Sequence, residues 1–234
     1  MTNTQPGSAL PDEIAKFNRL AAEWWDPAGP MAPLHAMNPL RTGWIDEHVP
    51  ERGRLLDVGC GAGLAAEAFA RMGYDVLGID AAADPIAAAA GHAEDAELKL
   101  AYRVATAEAL LAEGTRFPVI TALEVVEHVA NPAQFLALLS GLLEPGGSLF
   151  ISTLNRTLRS LAVGKIGAEY IARLLPAGTH EWRRFITPAE LDRAARPAGL
   201  QLVATRGMSY DLRERAWHGS ADLSVNYLAM LRRS

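Results

Sequence analysis

Along most of the chain, short apolar runs alternate with segments in which apolar residues recur every three or four positions. The first pattern predicts buried strands, and the second predicts helices that pack one face on a core. Predicted strands lie at 54–58, 74–80, 100–104, 117–123, 148–153, 200–205 and 225–230. Strict alternation of strand and helix is typical of an α/β fold with a parallel, doubly wound sheet.

Residues that favour the first turn of a helix mark where the predicted helices begin. Pro11 is followed by two acidic residues, while Asn38 and Pro39 supply a cap and a first helical residue for the next helix. Trp24 and Trp25 end the first helix, and core packing is the favoured interpretation of both. Further helices are predicted at 64–72, 85–90, 132–143 and from Thr187 onward.

The same pattern gives a domain organisation. We expect residues 1–10 to form a flexible tail and residues 11–234 to form a single domain, with N-terminal helices at 11–50. Residues 154–186 interrupt the alternation of strand and helix, so we expect an insertion or lid there.

Inside this insertion, apolar residues recur with the spacing of one helical face. The stripe consists of Val163, Ile166, Gly167, Tyr170, Ile171, Leu174 and Leu175. Four cations surround it, namely Arg156, Arg159, Lys165 and Arg173. Such a face fits a lid over a site or a surface that binds an anionic membrane, and core packing is the alternative.

Composition excludes several classes of protein. A net charge of −5 leaves no overall basic surface for phosphate contacts, so we expect no nucleic-acid partner. Cys60 is the one cysteine, which rules out an internal disulfide and a multi-cysteine zinc site and fits a reducing compartment. No secretory signal and no membrane-spanning window is visible, so we expect a cytoplasmic protein.

Three glycines at every second position follow the first predicted strand. The spacing of Gly59, Gly61 and Gly63 is one residue tighter than the pattern that seats a pyrophosphate on a helix. The second strand ends in Asp80, about twenty residues after Gly59, where nucleoside-binding folds place the acid that accepts the ribose hydroxyls. The tighter loop suits a nucleoside without phosphates, so the pattern favours S-adenosylmethionine over a dinucleotide.

Arg41 falls in the first turn of the helix predicted to open at Asn38. The helix dipole disfavours a cation there, so its presence indicates an anionic partner such as a carboxylate. A solvated arginine is the structural alternative.

Glu124, Glu127 and His128 follow the fourth predicted strand, at the sheet edge where open α/β folds place their ligands. In a helix, positions three and four apart would bring these side chains to one side. His128 is a candidate general base because its ordinary pKa lies near neutrality. The three side chains also suit a divalent cation, whereas capping of the following loop is the structural alternative.

Several segments taken together resemble one family. They are Phe17 with Trp24-Trp25-Asp26, Pro33-Leu34-His35, Asn38-Pro39-Leu40-Arg41, Leu56-Asp-Val-Gly-Cys-Gly61, Glu124-Val-Val-Glu-His-Val129, Ser152-Thr-Leu-Asn-Arg156, Gly167-Ala-Glu-Tyr-Ile171 and Gly178-Thr-His180. From Ile14 to Tyr227 the chain is similar to the class I S-adenosylmethionine-dependent methyltransferases, and more narrowly to the ubiquinone biosynthesis O-methyltransferase family. Leu123-Glu-Val125 departs from members with methionines here, but keeps an apolar wall for adenine.

The resemblance implies a class I, Rossmann-like fold: a seven-stranded mixed sheet whose last strand is antiparallel, with helices on both faces. It implies that S-adenosylmethionine is held by Arg41, Gly59, Gly61, Asp80 and Leu123. Arg41 would pair with the methionyl carboxylate, Asp80 with the ribose and Leu123 with the adenine face.

The family's reaction is methyl transfer to phenolic or catecholic oxygens of polyprenylated ubiquinone precursors, of the 2-polyprenyl-6-hydroxyphenol and 3-demethylubiquinol types. For this reaction, His128 is the candidate that activates the acceptor, assisted by Glu124 and Glu127, because of its ordinary pKa and its position after the fourth strand. Eukaryotic relatives, whose matching residues bind magnesium, imply Mg²⁺ or another divalent cation at the same three side chains. The resemblance also implies a peripheral position on the inner face of the cytoplasmic membrane and association with other ubiquinone-biosynthesis enzymes.

Two alternatives stay open on the sequence. Another small-molecule methyltransferase would share the cofactor half and differ in its acceptor pocket. A non-catalytic S-adenosylmethionine-binding module would bind the cofactor without forming product, and His128 argues against it. A nucleic-acid N-methyltransferase would carry an Asn/Asp-Pro-Pro-aromatic segment after the fourth strand, which Leu123-Glu-Val-Val126 is not.

Overall fold

An eight-stranded mixed sheet forms the centre of the computed structural model of the chain, which describes residues 8–162, 182–211, 213–214 and 216–234. The strands are β1 (Arg54–Val58), β2 (Asp75–Asp80), β3 (Ala101–Val104), β4 (Phe117–Leu123), β5 (Leu143–Leu154), β6 (Leu200–Asp211), β7 (Ala216–Ser220) and β8 (Asn226–Arg233). Their order is β3-β2-β1-β4-β5-β8-β6-β7. The first five strands pair in parallel, whereas β8 runs antiparallel to both β5 and β6.

Helices cover both faces of the sheet. They include α1 (Pro11–Leu20), α2 (Ala32–His48), α3 (Leu64–Arg71), α4 (Ala83–Asp95), α5 (Ala107–Ala112), α6 (Pro132–Leu142) and α7 (Pro188–Ala195). The consecutive residues Leu55 and Leu56 of β1 are both fully buried but belong to opposite cores, because alternate residues of a strand point to opposite faces. Leu55 shares a core with α2 and α3, and Leu56 shares one with α5, α6 and α7. Burial on both faces explains why the strands appear in the sequence as continuous apolar runs.

The predicted class I architecture is confirmed, including the antiparallel last strand, but the sheet has eight strands rather than seven. The additional strand, β7, pairs antiparallel with β6 at the edge of the sheet. Its residues are exposed or only partly buried and include His218 and Gly219, so no apolar run marks it. An edge strand of this kind lacks the pattern on which the other strands were predicted.

The predicted start of the second helix is wrong. Helix α2 begins at Ala32, with Pro33 in its first turn, and continues through Pro39. Asn38 is therefore not a cap: its Nδ2 donates to the Leu64 carbonyl at 2.8 Å, which ties α2 to α3. Arg41 consequently lies in the interior of the helix, and the dipole argument for its anionic partner does not apply.

The first described residues contact α5 and the segment that follows β4. The backbone N–H of Ser8 donates to Glu108 Oε1 at 2.7 Å, and Ala9 forms an antiparallel bridge with Val129. Residues 1–7 of the predicted tail lie outside the described residues.

The predicted apolar stripe from Val163 to Leu175, with Lys165 and Arg173, also lies outside the described residues. The two described cations beside it are engaged by acids. Arg156 pairs with Glu190, and Arg159 pairs with Asp222. Where the chain is described, no helix combines the length and apolar character needed to cross a membrane.

Candidate cofactor and catalytic site

The carboxyl ends of β1, β2 and β4 meet at one edge of the sheet and bring the predicted site residues together. Register places Val58 beside Ile79 and Asp57 beside Thr121, so the glycine loop after β1 lies between Asp80 at the end of β2 and Leu123 at the end of β4. Parallel α/β sheets bind their ligands at this edge.

Asp80 organises the glycine loop. Its Oδ2 accepts from the backbone N–H of Gly61 at 3.0 Å, and its Oδ1 accepts from that of Ala82 at 2.8 Å. Burial raises the pKa of Asp80, and the backbone N–H groups oppose this shift because they stabilise the carboxylate. Each carboxylate oxygen keeps a further lone pair, so Asp80 can hold the loop and still accept from a ribose diol.

Protein side chains occupy the space in which Cβ atoms of the three glycines would lie. A Cβ on Gly59 would be 2.6 Å from Val125 Cγ2, and Cβ atoms on Gly61 and Gly63 would overlap Trp24 and Tyr102. All three glycines have positive φ, at 69°, 54° and 89°. The alternating glycines are therefore required by the loop's backbone shape and its own neighbours, before any ligand is considered.

The two tryptophans cover this loop. Trp24 is buried against Ala62 and Met31, while the indole N–H of Trp25 donates to the Ala62 carbonyl at 3.0 Å. The Trp25 ring also stacks on His92 of α4, with centroids 3.5 Å apart and planes within 3° of parallel. Trp24 is buried as predicted for a core residue, whereas Trp25 is only partly buried, and both side chains cover the glycine loop.

Residues 8–25, here called the N-terminal strap, cross the edge of the sheet. Contacts of the strap with Glu108 and Val129 lie at one end, and the contacts of Trp25 lie at the other. Between them, the Asn18 side chain accepts from the Asp84 backbone N–H at the start of α4, and Glu13 faces His128. The sequence pattern did not predict these individual contacts, because they join residues far apart in the chain.

Arg41 and Asp57 are buried charges with unused hydrogen-bonding capacity. Arg41 is 3% exposed; one terminal nitrogen donates to Asn38 Oδ1 at 3.3 Å, another lies 3.8 Å from Glu124 Oε1, and Nε has no partner. Asp57 Oδ1 accepts from the Thr121 hydroxyl at 2.6 Å, and Oδ2 has no partner.

Burial dominates the electrostatics of this pair. It raises the pKa of Asp57 to about 6, against the opposing effects of the Thr121 hydroxyl and Arg41. It also lowers the pKa of Arg41, which Glu124 and Asp57 partly restore. Buried polar atoms without hydrogen-bond partners lower the stability of a folded protein. A guanidinium and a carboxylate left in this state suit a zwitterionic ligand such as an amino-acid moiety.

The segment after β4 forms turns rather than a helix, so the predicted helical arrangement of Glu124, Glu127 and His128 is wrong. Glu124 has a positive φ of 58°, which an α-helix does not allow. Ser152 donates to Glu124 at 2.6 Å, Thr153 donates to Glu127 at 2.9 Å, and the imidazole of His128 lies beside Glu13.

Glu124 and Glu127 nevertheless lie side by side, and Glu124 also acts electrostatically on His128. Glu127 is 3% exposed, and burial beside Glu124 raises its pKa well above the ordinary value. Across the described part of the chain, no group of three or more His, Cys, Asp or Glu side chains is arranged to hold a metal ion. The predicted ligand set Glu124, Glu127 and His128 therefore does not fit a cation as the structure places it.

His128 lies under the strap. Burial lowers its pKa, and the neighbouring Glu13 opposes that shift. The imidazole is thus neutral near physiological pH, which is the protonation state a general base needs.

Solved structures that share the fold include methyltransferases. A possible histamine N-methyltransferase from Thermotoga maritima, described as SAM-dependent, gives a TM-score of 0.66 at 15% identity, covering 94% of this chain and 99% of that chain. Magnesium protoporphyrin IX methyltransferase from Synechocystis PCC 6803, with bound SAH, gives 0.64 at 17% identity over 94% of each chain. These likenesses, at 15–17% identity, show that the chain has the class I S-adenosylmethionine-dependent methyltransferase fold.

Sequence relatives narrow this class. A family model described as a methyltransferase domain matches residues 34–205. A ubiquinone biosynthesis O-methyltransferase from Azorhizobium caulinodans is 46% identical over 97% of this chain and 95% of its own length. One from Cereibacter sphaeroides is 48% identical over 96% of this chain and 97% of its own length. The chain belongs to the ubiquinone biosynthesis O-methyltransferase family.

Proposed function

We propose that this protein transfers a methyl group from S-adenosylmethionine to a phenolic or catecholic oxygen of polyprenylated ubiquinone precursors. The observation that carries this proposal is identity of 46–48% to ubiquinone biosynthesis O-methyltransferases over nearly the whole of both chains. The buried, incompletely bonded Arg41 and Asp57 beside the glycine loop support it, because they suit the methionyl group of this cofactor.

In the proposed cofactor site, each residue has a separate task. The Arg41 guanidinium pairs with the methionyl carboxylate, and Asp80 accepts hydrogen bonds from the ribose hydroxyls. At Gly59 and Gly61 the backbone of the loop can approach the cofactor closely. Leu123, at the end of β4, supplies an apolar surface for the adenine ring. S-adenosylmethionine provides a methyl group on a sulfonium that makes the methyl carbon electrophilic.

The chain's own residues then have to prepare the acceptor. A phenol with a pKa of about 10 is mostly neutral near pH 7, so its proton must be removed as oxygen attacks the methyl carbon. We assign this task to His128, which is neutral and lies at the same edge of the sheet. Glu124 and Glu127 support the turn that carries it, through Ser152 and Thr153. We assign no step to a divalent cation, because the three side chains are not grouped as a ligand set in the described part of the chain.

Labelled S-adenosylmethionine and a panel of acceptors test the proposal. The panel contains a 2-polyprenyl-6-hydroxyphenol, a 3-demethylubiquinol, simple catechols and amines. We expect O-methylated product from the two polyprenylated rings. Products methylated only at nitrogen or carbon would indicate another small-molecule methyltransferase. Cofactor binding without any product would indicate a binding module.

An oily acceptor also implies contact with a membrane surface, and we include peripheral binding to anionic membranes in the proposal. Co-sedimentation with anionic liposomes at low salt tests this part, and a protein that stays in the supernatant would contradict it. Association with other ubiquinone-biosynthesis enzymes stays a prediction.

A further inference from the structure

Glu13 is the acid on the N-terminal strap that faces the proposed base. Its Oε2 lies 3.1 Å from Nδ1 of His128. Phe17, one turn further along α1, meets the imidazole edge-on, with ring centroids 5.6 Å apart and planes at 84°. Helix α1 therefore supplies both a charged and an apolar contact to this ring.

The charge of Glu13 determines which imidazole nitrogen carries the hydrogen. Burial alone would raise the pKa of Glu13, but His128 and Lys16, whose Nζ lies 3.4 Å from Oε2, lower it below its ordinary value. Glu13 is therefore a carboxylate near neutral pH and can only accept a hydrogen bond. Nδ1 of a neutral His128 must then carry the hydrogen, which leaves the lone pair on Nε2.

We propose that Glu13 is a positioning residue for methyl transfer: it holds His128 in the tautomer with a basic Nε2 and stabilises the imidazolium that forms. The inference rests on the proposed function. In that step the acceptor's O–H proton passes to Nε2, and the oxygen bonds to the methyl carbon. The carbon–sulfur bond breaks with its electron pair going to sulfur, and Glu13 takes no proton.

This arrangement links the strap to the chemistry. The same segment covers the glycine loop through Trp24 and Trp25 and orients His128 through Glu13. A strap displaced from the edge of the sheet would leave the imidazole without the contact that selects its tautomer. The orientation of His128 therefore depends on the same segment that covers the glycine loop.

The first test is Glu13→Gln in the full chain, which removes the charge and keeps the size of the side chain. We expect kcat to fall roughly 10–100-fold, as for other partners that orient a histidine, with KM for both substrates near wild-type values. Glu13→Asp should recover part of kcat because it restores the carboxylate. Asp12→Asn is the matched control, since Asp12 is an exposed acid in the same first turn of α1.

A double-mutant cycle separates positioning from a merely structural contact. In a His128→Ala background, Glu13→Gln should cause no further loss of kcat, because no imidazole is left to orient. The deficit of Glu13→Gln alone should also shrink with acceptors acidic enough to be ionised at the assay pH.

Each outcome bears on one claim. Equal losses in both backgrounds, or a normal kcat for Glu13→Gln, would overturn the role of Glu13 and leave the proposed function standing. A wild-type protein that methylates no phenol or catechol would instead reject the proposed function itself.

Discussion

Trp24 lies directly over Gly61, so that a Cβ atom built on this glycine would be 2.6 Å from ring carbon Cη2 of the indole. The loop that is expected to hold the cofactor is thereby in contact with the strap that covers it. A change at Gly61 should affect both.

Gly61→Ala should lower the free energy of unfolding by roughly 1–3 kcal/mol and weaken binding of S-adenosylhomocysteine, because φ is positive and the indole must move. Gly43→Ala is the matched control, since nothing lies within 4 Å of its Cβ position inside α2. That substitution should stabilise the protein by roughly 0.5–1 kcal/mol. Denaturant unfolding and calorimetry measure both effects, and wild-type affinity in Gly61→Ala would contradict the contact.

Arg41 offers a test of which part of the cofactor it holds. Arg41→Lys should weaken S-adenosylhomocysteine binding roughly 10–100-fold, because a point charge cannot replace a planar fork toward a carboxylate. Binding of methylthioadenosine, which lacks the amino-acid part, should be nearly unchanged. Arg52→Lys is the control, since Arg52 makes a two-bond pair with Asp46 on the surface. Equal losses for both ligands would mean that Arg41 acts only on the fold.

Local features of this site could be predicted from the sequence because they depend on neighbours along the chain. The strand Phe117–Leu123 has the bounds that its apolar run predicted, and Asp80 ends β2 at the expected distance from Gly59. The start of α2 was misplaced because Asn38-Pro39 has the local chemistry of a helix start, while the real start uses Pro33.

Contacts between distant segments could not be predicted. The pairing of Glu13 with His128 and the packing of Trp24 on Gly61 depend on how α1 crosses the sheet. The positive φ of Glu124 is also invisible in the sequence, since residues other than glycine rarely adopt it. Because of this conformation the three residues do not share one helical face, and His128 pairs with Glu13 of α1.

Asp57 should make stability depend on pH in an unusual direction. Its pKa is raised from 3.8 to about 6, so the folded protein holds this proton more tightly than the unfolded chain does. The contribution of Asp57 to stability therefore falls as pH rises between these values, by about 3 kcal/mol in total. Asp57→Asn keeps an acceptor for the Thr121 hydroxyl and does not titrate.

Urea unfolding of both proteins from about pH 4 to about pH 7 measures this difference. The free energy of unfolding of the wild type, relative to Asp57→Asn, should decrease across the range. A constant difference would show that folding does not shift the pKa of Asp57, and a difference that increases with pH would show that folding lowers it.

His128 is the residue on which turnover should depend most. His128→Ala should retain affinity for S-adenosylhomocysteine but lose roughly 10²–10⁴ in kcat, the usual contribution of a general base. His218→Ala is the control, because His218 is half-exposed beside Glu214 on the edge strand. Near-normal turnover by His128→Ala would remove the histidine from the mechanism.

The same assay decides between a histidine base and a metal-held acceptor. A histidine base serves monophenols and catechols alike, whereas a cation would favour catechols, whose adjacent oxygens can both bind it. Because Glu124 and Glu127 accept hydrogen bonds from Ser152 and Thr153 and His128 pairs with Glu13, activity on both acceptors should survive extensive chelation. Loss of catechol methylation that magnesium restores, with the monophenol rate unchanged, would show instead that these side chains rearrange around a cation when the acceptor binds.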